Sequence, residues 1–201
     1  ITTGNPVWFG PDGSSGYSSP QLFNLNGEEQ VVFMSKQGSL SIEPGSGKKI
    51  WEYKWEIMDR ILQPSYIEGN DLLLSGENKS IRRVSVKKES EGYKIEELWE
   101  SSDYKVNFND FIIHKGYAYA FDGPYLTCLD LKDGKRMWRG GRYRGFMILL
   151  ADQDLLLVLT EKGEVTLVSA VPGKFTELAK IKALNAKTWS HPVLAGNVVI
   201  V

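Results

Sequence analysis

Residue types that often build catalytic or cross-linked sites are scarce in this sequence. Its 201 residues include one cysteine, Cys128, and two histidines. One cysteine excludes an internal disulfide, and the two histidines form no recognisable metal-ligand or catalytic-triad pattern. Cys128 lies in the apolar stretch 126–129, which predicts a small buried side chain rather than a nucleophile.

Long apolar runs and an excess of one charge are also missing. No run approaches the ~18 residues of a membrane helix, and no signal peptide is visible. We therefore expect no membrane span. The formal net charge of −1 gives no reason to expect nucleic acid as a partner. The chain begins at Ile1 rather than at a methionine, and we interpret it as part of a longer polypeptide.

What the sequence does contain is a repeat of about forty residues. Trp51, Trp99 and Trp138 mark it at intervals of 48 and 39 residues. Three prolines mark it independently: Pro20, Pro64 and Pro192. Four short strands per repeat of this length are typical of β-propeller blades. The sequence thus predicts an all-β protein, a β-propeller of four-stranded antiparallel blades.

Glycine-containing turns and apolar segments set the expected bounds of the blades. Second strands are continuous apolar runs, as at 72–74 and 155–159, which fits strands covered on both faces. Fourth strands alternate, as at 49–55, which fits an outer strand with one face toward water. We predict an N-terminal loop or partial strand at 1–16, a longer loop at 87–93, and about four and a half blades: 17–56, 60–101, 107–140, 145–182 and a partial blade at 188–201.

Two repeats resemble the repeat of the quinoprotein-like (pyrroloquinoline-quinone-type) β-propellers. The segment 41–51 has Pro44-Gly45-Ser46-Gly47-Lys48 before Trp51. The segment 128–138 has an acidic residue, a Gly-Lys pair and a tryptophan at the same spacing as in 41–51. The fourth repeat keeps a Pro-Gly-Lys turn but has Leu178 near the tryptophan position, and the second keeps Trp99 without the glycine turn.

This pattern has a physical basis in the turn and the strand that follows it. The acidic and Thr/Ser residues are expected to hydrogen-bond the turn, and Gly47 and Gly134 to supply positive φ. Trp51, Trp99 and Trp138 are expected at equivalent positions on fourth strands, buried between blades.

The resemblance implies a ring of seven or eight blades, and the blades beyond the four and a half predicted here would come from the same or another chain. Its nearest likeness is to bacterial alcohol-dehydrogenase-like repeat proteins, most without demonstrated enzymatic activity. The function it favours is a non-catalytic scaffold for protein or ligand binding at the bacterial cell envelope, periplasmic or secreted, with no cofactor.

The alternative is a dehydrogenase of alcohols or sugars that depends on the quinone and on calcium, with its cofactor residues partly outside this segment. The resemblance implies a vicinal cysteine pair, a tryptophan under the quinone, a calcium held by Glu and Asn, and an Asp base. Cys128 alone excludes the pair in this chain. Asn107, Asn109 and Asp110 form the only compact Asn/Asp cluster near the entry to an inner strand, and turn chemistry favours a turn into that strand. We therefore predict no catalytic residue and no metal ligand here.

Propeller geometry indicates where a ligand would bind. Segments that lead from one blade's outer strand to the next blade's inner strand converge on one mouth of the central channel. These segments could bind an anionic or sugar-like ligand, or a peptide, or they could seal the channel through hydrogen bonds to loop carbonyls. The candidate residues are Tyr17, Arg60, Gln63, Asn109, Arg144, Trp189 and His191, with Ser18, Asn107 and Arg142 beside them.

Overall fold

The computed structural model describes residues 3–11, 16–35, 37–55, 62–76, 80–106 and 109–201. Within these ranges the regular structure is eighteen β-strands and two short 3-10 turns, without an α-helix. The strands form four four-stranded antiparallel sheets and one two-stranded sheet. The predicted all-β class and the four and a half blades are confirmed. In the part of the chain described, no helix is long and apolar enough to cross a membrane.

Each four-stranded sheet contains four consecutive strands paired in chain order. The first contains β1 (Gln21–Leu25), β2 (Glu28–Ser35), β3 (Gly38–Ile42) and β4 (Lys49–Lys54). The second contains β5 (Ser65–Ile67), β6 (Asp71–Ser75), β7 (Ile81–Glu89) and β8 (Gly92–Ser101). The third contains β9 (Ile112–His114), β10 (Tyr117–Asp122), β11 (Tyr125–Asp130) and β12 (Arg136–Arg142).

The fourth sheet contains β13 (Gly145–Leu150), β14 (Leu155–Thr160), β15 (Glu164–Ser169) and β16 (Glu177–Lys182). The two-stranded sheet contains β17 (Val193–Ala195) and β18 (Val198–Ile200).

The chain divides into two compact units, residues 1–104 and 105–201. In the first unit, sheets one and two share a core that includes Leu25, Val32, Met34, Trp51, Trp55, Leu72, Leu74, Val84 and Val86. In the second unit, sheets three and four share a core that includes Tyr119, Phe121, Leu126, Cys128, Trp138, Tyr143, Met147, Leu156, Val158 and Val168. The apolar second strands supply residues to both cores, as expected for strands covered on both faces.

The turn between third and fourth strands has the same conformation in sheets one and three. The N–H of Gly47 donates to the carbonyl of Glu43 at 2.9 Å, and that of Gly134 donates to Asp130 at 2.8 Å. Both glycines have positive φ, 70° and 72°. The carboxylate of Glu43 also accepts the N–H of Gly45 at 2.8 Å. The side chain of Ser46 and this N–H hold the pKa of Glu43 below its ordinary value.

The three repeat tryptophans occupy the same register on their fourth strands. Trp51, Trp99 and Trp138 each pair with a third-strand residue beside a β-bulge. Trp51 is 4% exposed and Trp138 is 7% exposed. Trp99 differs from the expectation, because it is half-buried. In sheet four this register holds Ala179, while Leu178 is the bulged residue, so Leu178 is offset by one residue from the tryptophan position.

One other local prediction differs from the structure. The predicted loop at 87–93 is mostly strand, because β7 and β8 continue as one long hairpin to Glu89 and Gly92. Its polar residues stabilise the hairpin by pairing, for example Lys87 with Glu96 across the strands. Gly173 lacks the positive φ of the other two turn glycines, although the fourth repeat keeps the Pro-Gly-Lys sequence.

Candidate functional site

Two of the candidate residues hold neighbouring innermost strands together. In the first unit, the side-chain amide of Gln21 donates to the side-chain carbonyl of Gln63. In the second unit, the amide of Asn109, which is buried, donates to the carbonyl of Gly145 at 2.6 Å. In both cases the candidate residue lies just before one innermost strand, β5 or β9, and is hydrogen-bonded to the first residue of another innermost strand, β1 or β13. Gln63 and Asn109 therefore take part in hydrogen bonds of the framework.

His191 lies just before β17 and packs on the strand that begins the previous sheet. Its ring centroid is 4.6 Å from that of Phe146 in β13. The imidazole is exposed elsewhere. Its position is therefore fixed by ring packing, and no acidic side chain is paired with it in the described residues.

Arg144 and Lys187, which lies in the segment before β17, both contact the carboxylate of Glu161. The side chain of Glu161 lies 3.6 Å from Arg144 Nε and 4.0 Å from Lys187 Nζ. The ammonium of Lys187 is also 4.3 Å from the centre of the Trp189 ring, which remains 64% exposed. Two cations thus share one carboxylate next to an exposed indole.

Backbone hydrogen bonds fix this cluster in place. The N–H of Arg144 donates to Pro124, the N–H of Glu161 donates to Arg144, and the N–H of Thr188 donates to Glu161. Arg144 has φ of 42°, in the left-handed region. Such a conformation costs free energy for an arginine and persists only where the surroundings impose it. The two of these bonds that Arg144 itself makes supply that constraint.

A shallow pocket of about 480 Å³ adjoins the cluster. It lies where the segment 183–188 crosses the turn 161–163. Its lining residues are Glu161, Lys162, Lys182, Asn185, Ala186 and Lys187. It thus contains three lysines and one carboxylate.

A row of basic residues runs along β12, the outer edge strand of sheet three. Residues 135–144 contain five lysines and arginines and no acidic residue. Asp122 accepts from Arg136 at 3.0 Å and lies 2.9 Å from Arg139 Nε. The guanidinium of Arg139 is 4.1 Å from the centre of the Tyr125 ring, and that of Arg142 is 6.0 Å from it.

The charge of the chain is divided unequally between its units. Residues 105–201 contain thirteen lysines and arginines against nine aspartates and glutamates, a formal net charge of +4. Residues 1–104 contain eleven against sixteen, a net charge of −5. The net charge of −1 for the whole chain conceals this contrast, and it makes the second unit the one suited to anions.

The remaining candidates lie in the first unit or outside the described residues. Tyr17 is 87% exposed, and Ser18 lines a cleft of about 640 Å³ between the N-terminal residues and sheet one. The indole of Trp8 covers Gly47 in this region and donates to the carbonyl of Pro44 at 2.9 Å. Arg60 and Asn107 lie outside the described residues.

The residues present do not fit the quinone and calcium of the alternative function. Cys128 is fully buried, and burial raises the pKa of its thiol to about 12. In the ranges that the structure describes, no group of three or more His, Cys, Asp or Glu side chains could hold a metal ion. The Asn109 amide already donates to a backbone carbonyl. No step through the quinone is therefore assigned to these residues.

A solved structure has the same fold as this chain. It is a quinohemoprotein alcohol dehydrogenase from Pseudomonas putida HK5, matched with a TM-score of 0.64 and 10% sequence identity. The match covers 88% of this chain and 35% of that one, so this chain spans about a third of that protein's length. The fold is thus a quinoprotein-like β-propeller, as the repeat predicted. No protein-family model matches the sequence, and no curated protein matches it.

Sequence reasoning missed the lysines of the second-unit pocket. Lys162, Lys182 and Lys187 are separated by up to 25 positions in the sequence, and each sits in an ordinary polar context. Only the pairing of β15 with β16 brings Lys182 near the turn that carries Lys162. The run of basic residues at 135–144 was a local signal that could have indicated the positive charge of this unit.

Proposed function

We propose that this protein is a non-catalytic β-propeller scaffold that binds another protein or a small polar ligand at the bacterial cell envelope. The observation that carries this proposal is the division of the candidate residues into two groups. Gln63 and Asn109 are used in framework hydrogen bonds. Tyr17 and Trp189 are highly exposed, and Arg144 is exposed with a shared carboxylate.

Exposed aromatic and arginine side chains support a binding role. Tyrosine, tryptophan and arginine are the residues that contribute most at protein interfaces. A rigid sheet framework places such side chains at low entropic cost, because the backbone that carries them is already ordered. A periplasmic or secreted location is inferred from the resemblance to bacterial quinoprotein-like repeat proteins.

Photo-crosslinking tests the binding role. A photoreactive amino acid placed at Trp189 should give a discrete crosslinked product in cells, and the same amino acid at Lys174 should not. Lys174 is an exposed residue of the turn before β16, so it controls for random collisions. Equal products from both positions, or none from either, would contradict a partner at Trp189.

The second candidate is a quinone- and calcium-dependent dehydrogenase, and its support is the fold shared with a quinohemoprotein alcohol dehydrogenase. A shared fold at 10% identity does not carry the chemistry with it. The protein should be incubated with the quinone and Ca²⁺, and dye reduction measured with a panel of alcohols and sugars. We expect no reduction above a sample without protein. Turnover would establish the second candidate and overturn the first.

A further inference from the structure

We propose that the pocket beneath residues 183–188 binds a compact ligand with two or more acidic oxygen groups, phosphate or carboxylate. This inference deepens the proposed binding role, because it names a ligand class and a place for it. It concerns the second unit alone.

The walls of this pocket are held at both ends. The N–H groups of Ala183 and Leu184 donate to the carbonyl of Gly163 at 3.0 and 2.9 Å. At the other end, the N–H of Thr188 donates to the carbonyl of Glu161 at 3.1 Å. The segment between these anchors therefore forms a short arch over the turn, and a ligand would not have to order it.

Gly163 is required for this arrangement. Its φ is +77°, and an added Cβ would lie 2.4 Å from the carbonyl oxygen of Leu184. A side chain at this position would collide with the backbone of the arch. The close approach of arch and turn is what creates the pocket.

The charge inside the pocket is unbalanced. Glu161 is its one carboxylate, and it already has Arg144 and Lys187 as partners. Lys182 Nζ donates to the carbonyl of Lys162 at 2.5 Å, which holds its ammonium at the pocket without neutralising it. Among the described residues, neither Lys162 nor Lys182 has a carboxylate within ion-pairing distance.

Counting Arg144 and also Glu164, the cross-strand partner of Lys182, four cations lie around two carboxylates, an excess of two positive charges. An anion with two negative charges would balance that excess through charge-assisted hydrogen bonds. Asn185, which also lines the pocket, adds a side-chain amide that can donate to the same ligand.

The size of the pocket favours a small ligand over a long polyanion. A volume of about 480 Å³ lies within the range of small-molecule sites. Nucleic acid would extend far beyond such a pocket, whereas a compact anion would fit inside it. Phosphate and carboxylate groups on a compact carbon or phosphate skeleton share the required chemistry.

Calorimetric titration of the whole protein at low ionic strength tests the proposal. Pyrophosphate and citrate serve as the phosphate and carboxylate probes, and sucrose serves as a neutral probe. We expect one site for at least one anion, none for sucrose, and affinity that falls as salt rises. The stronger of the two anions identifies the preferred acidic group.

Single charge-removing variants locate the site. Lys182→Gln and Lys187→Gln should each weaken binding about tenfold or more, the effect of losing one charge-assisted hydrogen bond. Lys174→Gln removes the same charge at the opposite end of β15 and β16, and should change affinity less than about twofold.

Two results would overturn the proposal: no binding of either anion, or equal weakening by all three variants. Neither result would affect the crosslinking and dye-reduction tests of the proposed function, which use different residues and readouts. Conversely, dehydrogenase turnover would overturn the proposed function and leave the pocket measurements unchanged.

Discussion

The buried tryptophans stabilise the cores both by the volume that they fill and by the hydrogen bond that each indole N–H donates. Trp51 Nε1 donates to the side-chain carbonyl of Gln30 at 2.7 Å, and the Ser41 hydroxyl donates to the same oxygen at 2.9 Å. Gln30 is itself fully buried. Loss of the indole would therefore remove one of the two hydrogen bonds that the Gln30 side-chain oxygen accepts inside the core. Trp138 is anchored in a comparable way, since its Nε1 donates to the carbonyl of Val171 at 2.7 Å.

We predict that Trp51→Ala lowers the free energy of unfolding by about 3–5 kcal/mol, the range for large aromatic truncations in a core. Trp99→Ala should cost clearly less, because Trp99 is half-buried. Trp189→Ala provides the surface control and should change stability by less than about 0.5 kcal/mol. Urea unfolding of the three variants measures these differences, and similar losses at Trp51 and Trp189 would contradict the assignment of the core.

A second residue-scale prediction concerns the carboxylate of Asp154. Lys115 donates to both of its oxygens, at 2.6 and 2.7 Å, and His114 Nε2 lies 2.5 Å from Oδ1. Lys115 and then His114 lower the pKa of this carboxyl. A carboxyl with a depressed pKa in the folded state stabilises the protein above its unfolded pKa, and this contribution is lost as the pH falls through the folded pKa.

Asp154→Asn should therefore lower the Tm at neutral pH, and the difference from wild type should shrink below about pH 4. Asparagine suits the test because residue 154 has φ of +54°, a conformation that asparagine tolerates. Tm measured from neutral pH down to about pH 3 provides the check. A difference that stays constant over this range would show that the ion pair is not its source.

At the scale of single elements, the sequence predicts the repeat well where one local rule decides the structure. The apolar second strands and the glycine turns at 43–48 and 130–135 form as expected, because apolar burial and positive φ are local requirements. The long β7–β8 hairpin was not predicted, since Lys87 and Glu96 stabilise it only after the strands have paired. The pocket lysines were missed for the same reason, because the arch that gathers them is held by hydrogen bonds between distant residues.

The turn glycines give a prediction in which one substitution has opposite effects in two repeats. Gly47 has φ of +70°, and a Cβ would lie 2.4 Å from the Trp8 ring. Gly47→Ala should therefore destabilise the protein by about 1–2 kcal/mol from the backbone conformation, and further if Trp8 is displaced. Gly173 has no positive φ, and an added Cβ would have no atom within 4 Å beyond the adjacent residues of the chain.

Gly173→Ala should accordingly be neutral or stabilise by up to about 1 kcal/mol, because alanine restricts the unfolded chain. Both variants can be compared by urea unfolding under identical conditions. Tryptophan fluorescence gives a second readout, since Gly47→Ala should alter the environment of Trp8, one of the six indoles of the chain, while Gly173→Ala should leave that indole unchanged. Equal effects of the two substitutions would contradict the difference in backbone conformation between these turns.

At the scale of the whole molecule, apolar burial is uneven along the chain. Sheets one to four place their second strands in shared cores. The β17–β18 hairpin instead exposes apolar side chains on both of its faces: Val193, Leu194, Val198, Val199 and Ile200. Val193 and Ile200 are cross-strand partners, and Leu194 pairs with Val199. Strands of this composition with exposed faces and edges are prone to pair with other molecules.

We predict that a protein of these 201 residues self-associates in a concentration-dependent way through this hairpin. Light scattering should give an apparent mass above the 22.6 kDa of one chain, rising with protein concentration. Val198→Glu combined with Ile200→Glu places like charges on one face of the hairpin and should restore the monomer, because charge burial in such a contact is costly. The matched control, Leu178→Glu, adds charge at an exposed residue of β16 and should leave association unchanged. A wild-type protein that stays monomeric at all concentrations tested would show that this exposed apolar surface does not drive association.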